Sequence, residues 1–242
     1  MTDSELIEKI KSKGYWRISF EPKSAETKLQ LKDCLDIVDK NSIHLRGWDY
    51  PHIPRRTGDD TAIETGENYK QAWLDWNEMH HKEFWRMYQS GQFIHYLALK
   101  EDWIQDLVQN NMWEREAKQI AEGGGLGITS TVYLLTEVYQ FLSKLVSDGL
   151  YEKGIDISVS LNNTKNRGLF VDNFNRIPLS YQRKTNAPAI KYEQSYTKQE
   201  ILTDPKELAF KAIVYIFERF SWDPPNVEVI KQDQENLLAR KI

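Results

Sequence analysis

Three places in this chain of 242 residues combine side chains that could do chemistry. The first is Arg46-Gly47-Trp48-Asp49-Tyr50-Pro51-His52, where a cation, an acid and a base stand beside rigid aromatic rings. Joined by His80 to Glu83, Asp49 and His52 would make a divalent-metal site of the hydrolase or nuclease kind. No spacing among His44, His52, His80, His81 and His95 matches a zinc arrangement, and adjacent His80 and His81 would point to opposite faces of a strand, so no metal is expected. His95, inside an apolar run, reads as a core histidine. A proline-stiffened loop packed by tryptophan explains the first segment equally well.

The second place is Asn162 to Lys198. Lys165, Arg167, Arg176, Arg183, Lys184, Lys191 and Lys198 stand there against Asp172 and Glu193, in a chain whose formal charge is −4. Phe170, Phe174, Tyr181, Tyr192 and Tyr196 are interleaved with them. Cations for phosphates and rings for stacking are what a nucleic-acid or nucleotide surface needs. Strands with solvated basic faces would give the same pattern.

The third is Gly123 to Gly127, followed by Thr129-Ser130-Thr131 and a helical stripe. Free backbone N–H groups at a helix start favour an anion. The stretch lacks the Gly-Lys-Ser/Thr of a phosphate loop and follows an expected helix where a nucleotide fingerprint follows a strand, so a helix-to-helix connection is the plainer reading. Cys34 sits on an amphipathic helix as packing, no Gly-x-Ser-x-Gly elbow occurs, and no cofactor is implied.

The elements that must carry these residues follow from periodicity. Met1 to Gly14 reads as a short amphipathic helix, Tyr15 to Phe20 as a half-buried strand, Leu29 to Asn41 as a helix and Ile43 to Arg46 as a second strand. Trp48 to Thr65 reads as an exposed loop, and Phe84 to Leu99 as a hairpin turning at Ser90-Gly91. Glu101 to Glu122 predicts one or two helices, and Val132 to Val146 a helix capped by Thr129, Ser130 or Thr131. Ile155 to Leu161 and Arg167 to Val171 predict two strands joined by a polar turn, with another from Ala189 to Ile201. Asp204-Pro205-Lys206-Glu207 opens a last long helix, beyond which an exposed helix or frayed tail is expected.

The fold class is therefore α+β, with mostly antiparallel sheet, a β-rich N-terminal half and helices packed on sheet in the C-terminal half. A division at 1–107 and 108–242 is expected, within what could be one compact domain. With 40% hydrophobic residues the chain can bury a real core. Six of the eight tryptophans fall by Trp103, so the aromatic weight lies in the N-terminal half. One cysteine excludes an internal disulfide and fits a reducing compartment, and apolar runs far short of the roughly 20 residues of a membrane span imply a soluble, cytoplasmic protein with no membrane partner.

Gly14-Tyr15-Trp16-Arg17, Leu45 to His52 and Tyr88 to Phe93 together resemble an uncharacterised prokaryotic segment, similar to the region beside Schlafen-type AlbA_2 nucleic-acid-binding domains. The resemblance covers the first hundred or so residues and carries no catalytic motif. It implies a prokaryotic accessory or sensor role. The expectation is thus a non-enzymatic binding or sensor module for a nucleotide or nucleic acid, using Arg46, Trp48, Asp49, His52, Lys165, Arg167, Arg176, Arg183 and Lys184. A metal-dependent hydrolase and a subunit that docks a protein partner through its aromatics are the alternatives.

Overall fold

Trp16, Ile18 and Phe20 alternate with polar residues, and that period of two places all three on one face of strand β1 (Tyr15–Pro22). The computed structural model describes residues 2–24, 29–56, 58, 60–77, 80–103 and 123–241. In it β1 is the hinge of the main sheet, pairing antiparallel with β5 (Phe93–Ala98) on one side and β7 (Ile155–Asn162) on the other. The N-terminal arm continues through β4 (His81–Tyr88), β3 (Tyr69–Trp76) and β2 (Thr61–Thr65), each antiparallel to the last. Beyond β7 lies β10 (Ala189–Tyr196), completing seven strands in the order β10-β7-β1-β5-β4-β3-β2. One sheet thus carries strands from both sides of residue 107.

Helix α3 (Ile128–Ser147) lies on the face of Trp16, Ile18 and Phe20, and it is apolar over most of its circumference because α5 (Pro205–Glu218) and α6 (Val227–Leu238) cover its far side. Phe141 sits at the centre, with ring centroids 5.3 Å from Phe93, 5.9 Å from Tyr50 and 6.2 Å from Phe20. The opposite face is partly covered by α1 (Asp3–Lys11), whose Leu6 and Ile10 meet Trp73, Phe84 and Ala98. Helix α2 (Asp33–Asn41) packs its Cys34 and Val38 into the main core, and α4 (Lys198–Thr203) leads into α5. The fold is α+β, as the periodicity implies, and no described helix is long and apolar enough to cross a membrane.

The local expectations divide by whether nearest neighbours decide them. Gly91 does take positive φ between β4 and β5, Asp204 caps α5, and Gly149 closes α3 with positive φ. Ile43 to Arg46 is not a strand: Ile43 makes a lone bridge to Tyr50, with N···O distances of 2.7 and 3.0 Å, closing a tight loop. Trp48 to Thr65 is not simply exposed, since Tyr50, Pro51, Ile53 and Pro54 are buried and the segment ends in β2. Arg167 to Val171 yields β8 (Gly168–Phe170), which leaves the main sheet to pair parallel with β6 (Gly125–Gly127) and antiparallel with β9 (Arg183–Lys184). The last segment is the helix α6 rather than a frayed tail, because Ile230 and Leu237 reach the core side. Most of Glu101 to Glu122 lies outside the described residues.

Phe141→Ala should cost about 3–5 kcal/mol, the range for emptying a buried aromatic site. Chemical denaturation is the measurement, and a loss below about 1 kcal/mol would contradict this packing.

Candidate functional site

On β4 the alternation that buries Trp85 and Met87 also turns His81 and Glu83 toward the core face. Glu83 is 3% exposed, and burying a carboxylate there demands partners. It has three: Nε2 of His81 at 2.7 Å, the backbone N–H of His52 at 2.9 Å and Nε2 of His95 at 3.0 Å, the last at ion-pair distance without aligned hydrogen-bond geometry. Burial works to raise the Glu83 pKa, but the His81 and His95 contacts more than offset it and hold the carboxyl well below its ordinary range. Behind His95, Nδ1 lies 3.1 Å from the buried hydroxyl of Tyr50.

The loop after α2 is latched to this strand. Trp85 donates from Nε1 to the carbonyl of His52 at 2.7 Å, so both peptide groups flanking that residue are held by β4. The His52 ring stacks on Trp48 with centroids 4.3 Å apart, and Trp48 also meets His81 at 4.2 Å and the edge of Trp76 at 5.2 Å. Burial pushes His52 down, against the pull of Glu83. The indole nitrogens of Trp48 and Trp76 and Nδ1 of His52 are buried without a hydrogen-bond partner among the described residues, polar atoms held inside an aromatic cluster.

Arg46 reaches the other wall. Its Nε and Nη2 grip both oxygens of Glu137 on α3 at 2.6–3.1 Å, leaving Nη1 without a protein partner among the described residues. Glu137 is fully buried, and desolvation pushes it up to about 7 despite that two-pronged cation. Between these walls opens a cleft of about 310 Å³. Arg46, Trp48, His81 and Trp16 line it, with Lys100 and Glu101 at one end and Ser130 and Thr131 of α3 at another. A cation, a histidine and indole rings on one apolar-backed cleft match the composition of small-molecule sites.

Of the residues expected at the first segment, Arg46, Trp48 and His52 do come together. Asp49 turns aside, its Oδ1 2.6 Å from Nδ1 of His44. His80 sits in the turn before β4 at positive φ. Among the described residues no group of three or more His, Cys, Asp or Glu side chains is arranged to hold a metal ion. Cys34 is buried, and burial, with Asp33 adding to it, pushes its thiol up, away from nucleophilic use.

The basic run is largely spent on structure. Arg167 is 2% exposed and clamps Asp102 with two nitrogens at 2.6 and 2.8 Å while a third bond goes to the Gly125 carbonyl. Arg176 meets Asp233 of α6 at 2.5 and 2.6 Å. Arg183 donates to the Ser221 carbonyl and lies over the Tyr181 ring. Lys191 and Lys198 pair with Glu193 and Glu152, while Lys165 and Lys184 are exposed. The start of α3 is occupied too: Asp172 accepts from the backbone N–H groups of Thr129 and Ser130 at 2.7 and 2.9 Å, so it is this distant carboxylate, not a local hydroxyl, that caps the helix.

Comparison with protein-family models, curated proteins and solved structures finds no match. The site therefore rests on its own geometry. His81 lay within the His80 to Glu83 stretch considered for a metal site, while Glu137, which holds Arg46, was missed; it leaves a signal as a polar side chain at an inward position of an otherwise apolar periodicity, four residues before Phe141 on α3.

Two outcomes test these placements. Arg167→Ala should lose about 3–5 kcal/mol in denaturant unfolding by stranding Asp102, whereas a surface phosphate contact would lose almost nothing. Glu137 binds a proton more readily folded than unfolded between its ordinary 4.5 and about 7, so its share of stability falls as pH rises across that window. Denaturant midpoints over that range should fall less steeply in Glu137→Gln than in the parent; parallel curves would refute it.

Proposed function

We propose that the chain binds a small anionic molecule with a flat ring, of the nucleotide class, in the cleft between the sheet and α3. The observation that carries this is Arg46: a buried carboxylate fixes two of its nitrogens, the third has no hydrogen-bond partner among the described residues, and the side chain lines a cleft whose walls include Trp48 and Trp16. A guanidinium held in this way recognises phosphate or carboxylate oxygens with little further loss of side-chain freedom. Indole rings offer a face or edge to a planar group. The volume suits one small ligand rather than a polymer strand. Removal of Arg167 from the surface and pairing of Arg176 argue the same way, because a polymer needs several unpaired cations along a track. A sensor role, as the resemblance of the first hundred residues implies, would use this cleft as its input.

Titration of intrinsic tryptophan fluorescence with nucleoside monophosphates, alongside inorganic phosphate and a single-stranded oligonucleotide, is the direct test. Monophosphates should quench saturably, and Arg46→Lys, which keeps the charge but loses the fork, should weaken binding roughly ten- to a hundredfold in a chain that still unfolds cooperatively. Absence of any saturable response, or oligonucleotide binding indifferent to Arg46, sinks the proposal.

A further inference from the structure

The cleft holds more than binding requires. Glu83 is an ionised carboxylate and can only accept, so Nε2 of His81, 2.7 Å away, must carry the proton. In the neutral ring the other nitrogen, Nδ1, is then the one with the lone pair, and it has no protein partner among the described residues on a side chain that lines the cleft. Trp48 against the ring and the strand beneath fix its position. A carboxylate that locks a histidine's tautomer and leaves its basic nitrogen facing a ligand space is the arrangement of a general base with its orienting partner. His52 cannot share the role, since its Nδ1 is buried and the residue does not line the cleft.

We propose that His81 is the general base of a metal-independent phosphoester hydrolysis in this cleft, with Glu83 as its positioning residue and Arg46 holding the phosphoryl oxygens. The proposal rests on the anion-binding reading above and deepens it. Nδ1 of His81 takes a proton from water as the water oxygen bonds to phosphorus. The bond from phosphorus to the leaving oxygen breaks, its electron pair stays with that oxygen, and the imidazolium returns the proton to it. One water is consumed, and one phosphate ester becomes an alcohol and a phosphate with one ester fewer. Arg46 meets charge on the non-bridging oxygens throughout. Nothing is oxidised or reduced.

The experiment uses the full chain in excess chelator with bis(p-nitrophenyl) phosphate as substrate, read by release of p-nitrophenolate, and runs the monophosphate titration on the same preparations. The parent should exceed the buffer rate, and His81→Asn should lose at least about a hundredfold of that excess while monophosphates still bind saturably. His81→Gln, which can still donate to Glu83, serves as the second variant should the first fail to fold, and added imidazole should restore part of the rate in either. Glu83→Gln should shift the pH at which the rate rises, which a loss of folding alone would not do. A parent that binds monophosphates but hydrolyses no faster than buffer overturns the catalytic proposal and leaves the binding reading standing. Folded His81 variants as fast as the parent overturn it too, and a parent that neither binds nor hydrolyses removes both.

Discussion

Everything around the cleft depends on one buried carboxylate. Placing Glu83 at 3% exposure carries a desolvation penalty of several kcal/mol, which only well-aimed donors can offset. The donors are His81 on its own strand and the His52 peptide in the loop after α2, with His95 on β5 adding a contact at ion-pair distance. The loop cannot leave without exposing the charge to an unpaired interior, so Trp48 and Arg46, which flank it, are positioned as a consequence. Glu83 therefore works as a fastener first, and the tautomer it imposes on His81 follows from the same bond.

A second constraint fixes where the cleft can open. β1 is paired on both sides over nearly its whole length, which makes its inward face continuous with those of β5 and β7. Trp16, Ile18 and Phe20 form that face, and α3 closes over Ile18 and Phe20 while its first turn stands off near Trp16. Glu137, one of few charges on the buried side of α3, meets Arg46 and so sets the cleft's far wall. An ion pair between a loop and a helix that share no backbone bond replaces the ladder that fixes the rest.

Much of this fold was legible from the chain alone because its signals are local. The hairpin at Ser90-Gly91 follows from glycine's freedom at positive φ, and the cap of α5 follows from an Asp204 side chain that accepts from the backbone N–H three residues on. What was not legible depends on partners distant in sequence. Ile43 to Arg46 alternates like a strand but has only the Tyr50 bridge to pair with, and Arg167 to Val171 reads as a partner of β7 until the β6 backbone takes it into the small sheet. At the site, Arg46, Trp48 and His52 could be nominated because they are neighbours. Glu137, 91 positions from Arg46, could not.

The charge run between Asn162 and Lys198 shows why composition misleads most where it is most suggestive. A cluster of cations in one segment carries no information about the acids that the fold will bring to it. Asp102 reaches Arg167 across 65 positions and Asp233 reaches Arg176 across 57, and both pairs are buried enough to act as clasps between elements. The same logic runs through the N-terminal half, where Lys82, 1% exposed, meets Asp75 at 2.8 Å and Trp103 at 4.5 Å, while Lys9 of α1 reaches the same Asp75. Arg167–Asp102, Arg176–Asp233 and Lys9–Asp75 each join elements whose backbones do not pair, while Lys82 meets Asp75 across the paired strands β4 and β3. Arg46 is the instructive exception, because its clasp consumes two of its nitrogens, the third has no hydrogen-bond partner among the described residues, and the side chain lines the cleft. A cation so held keeps its position whether or not a ligand is present, and that preorganisation is what separates a candidate anion site from one more structural pair.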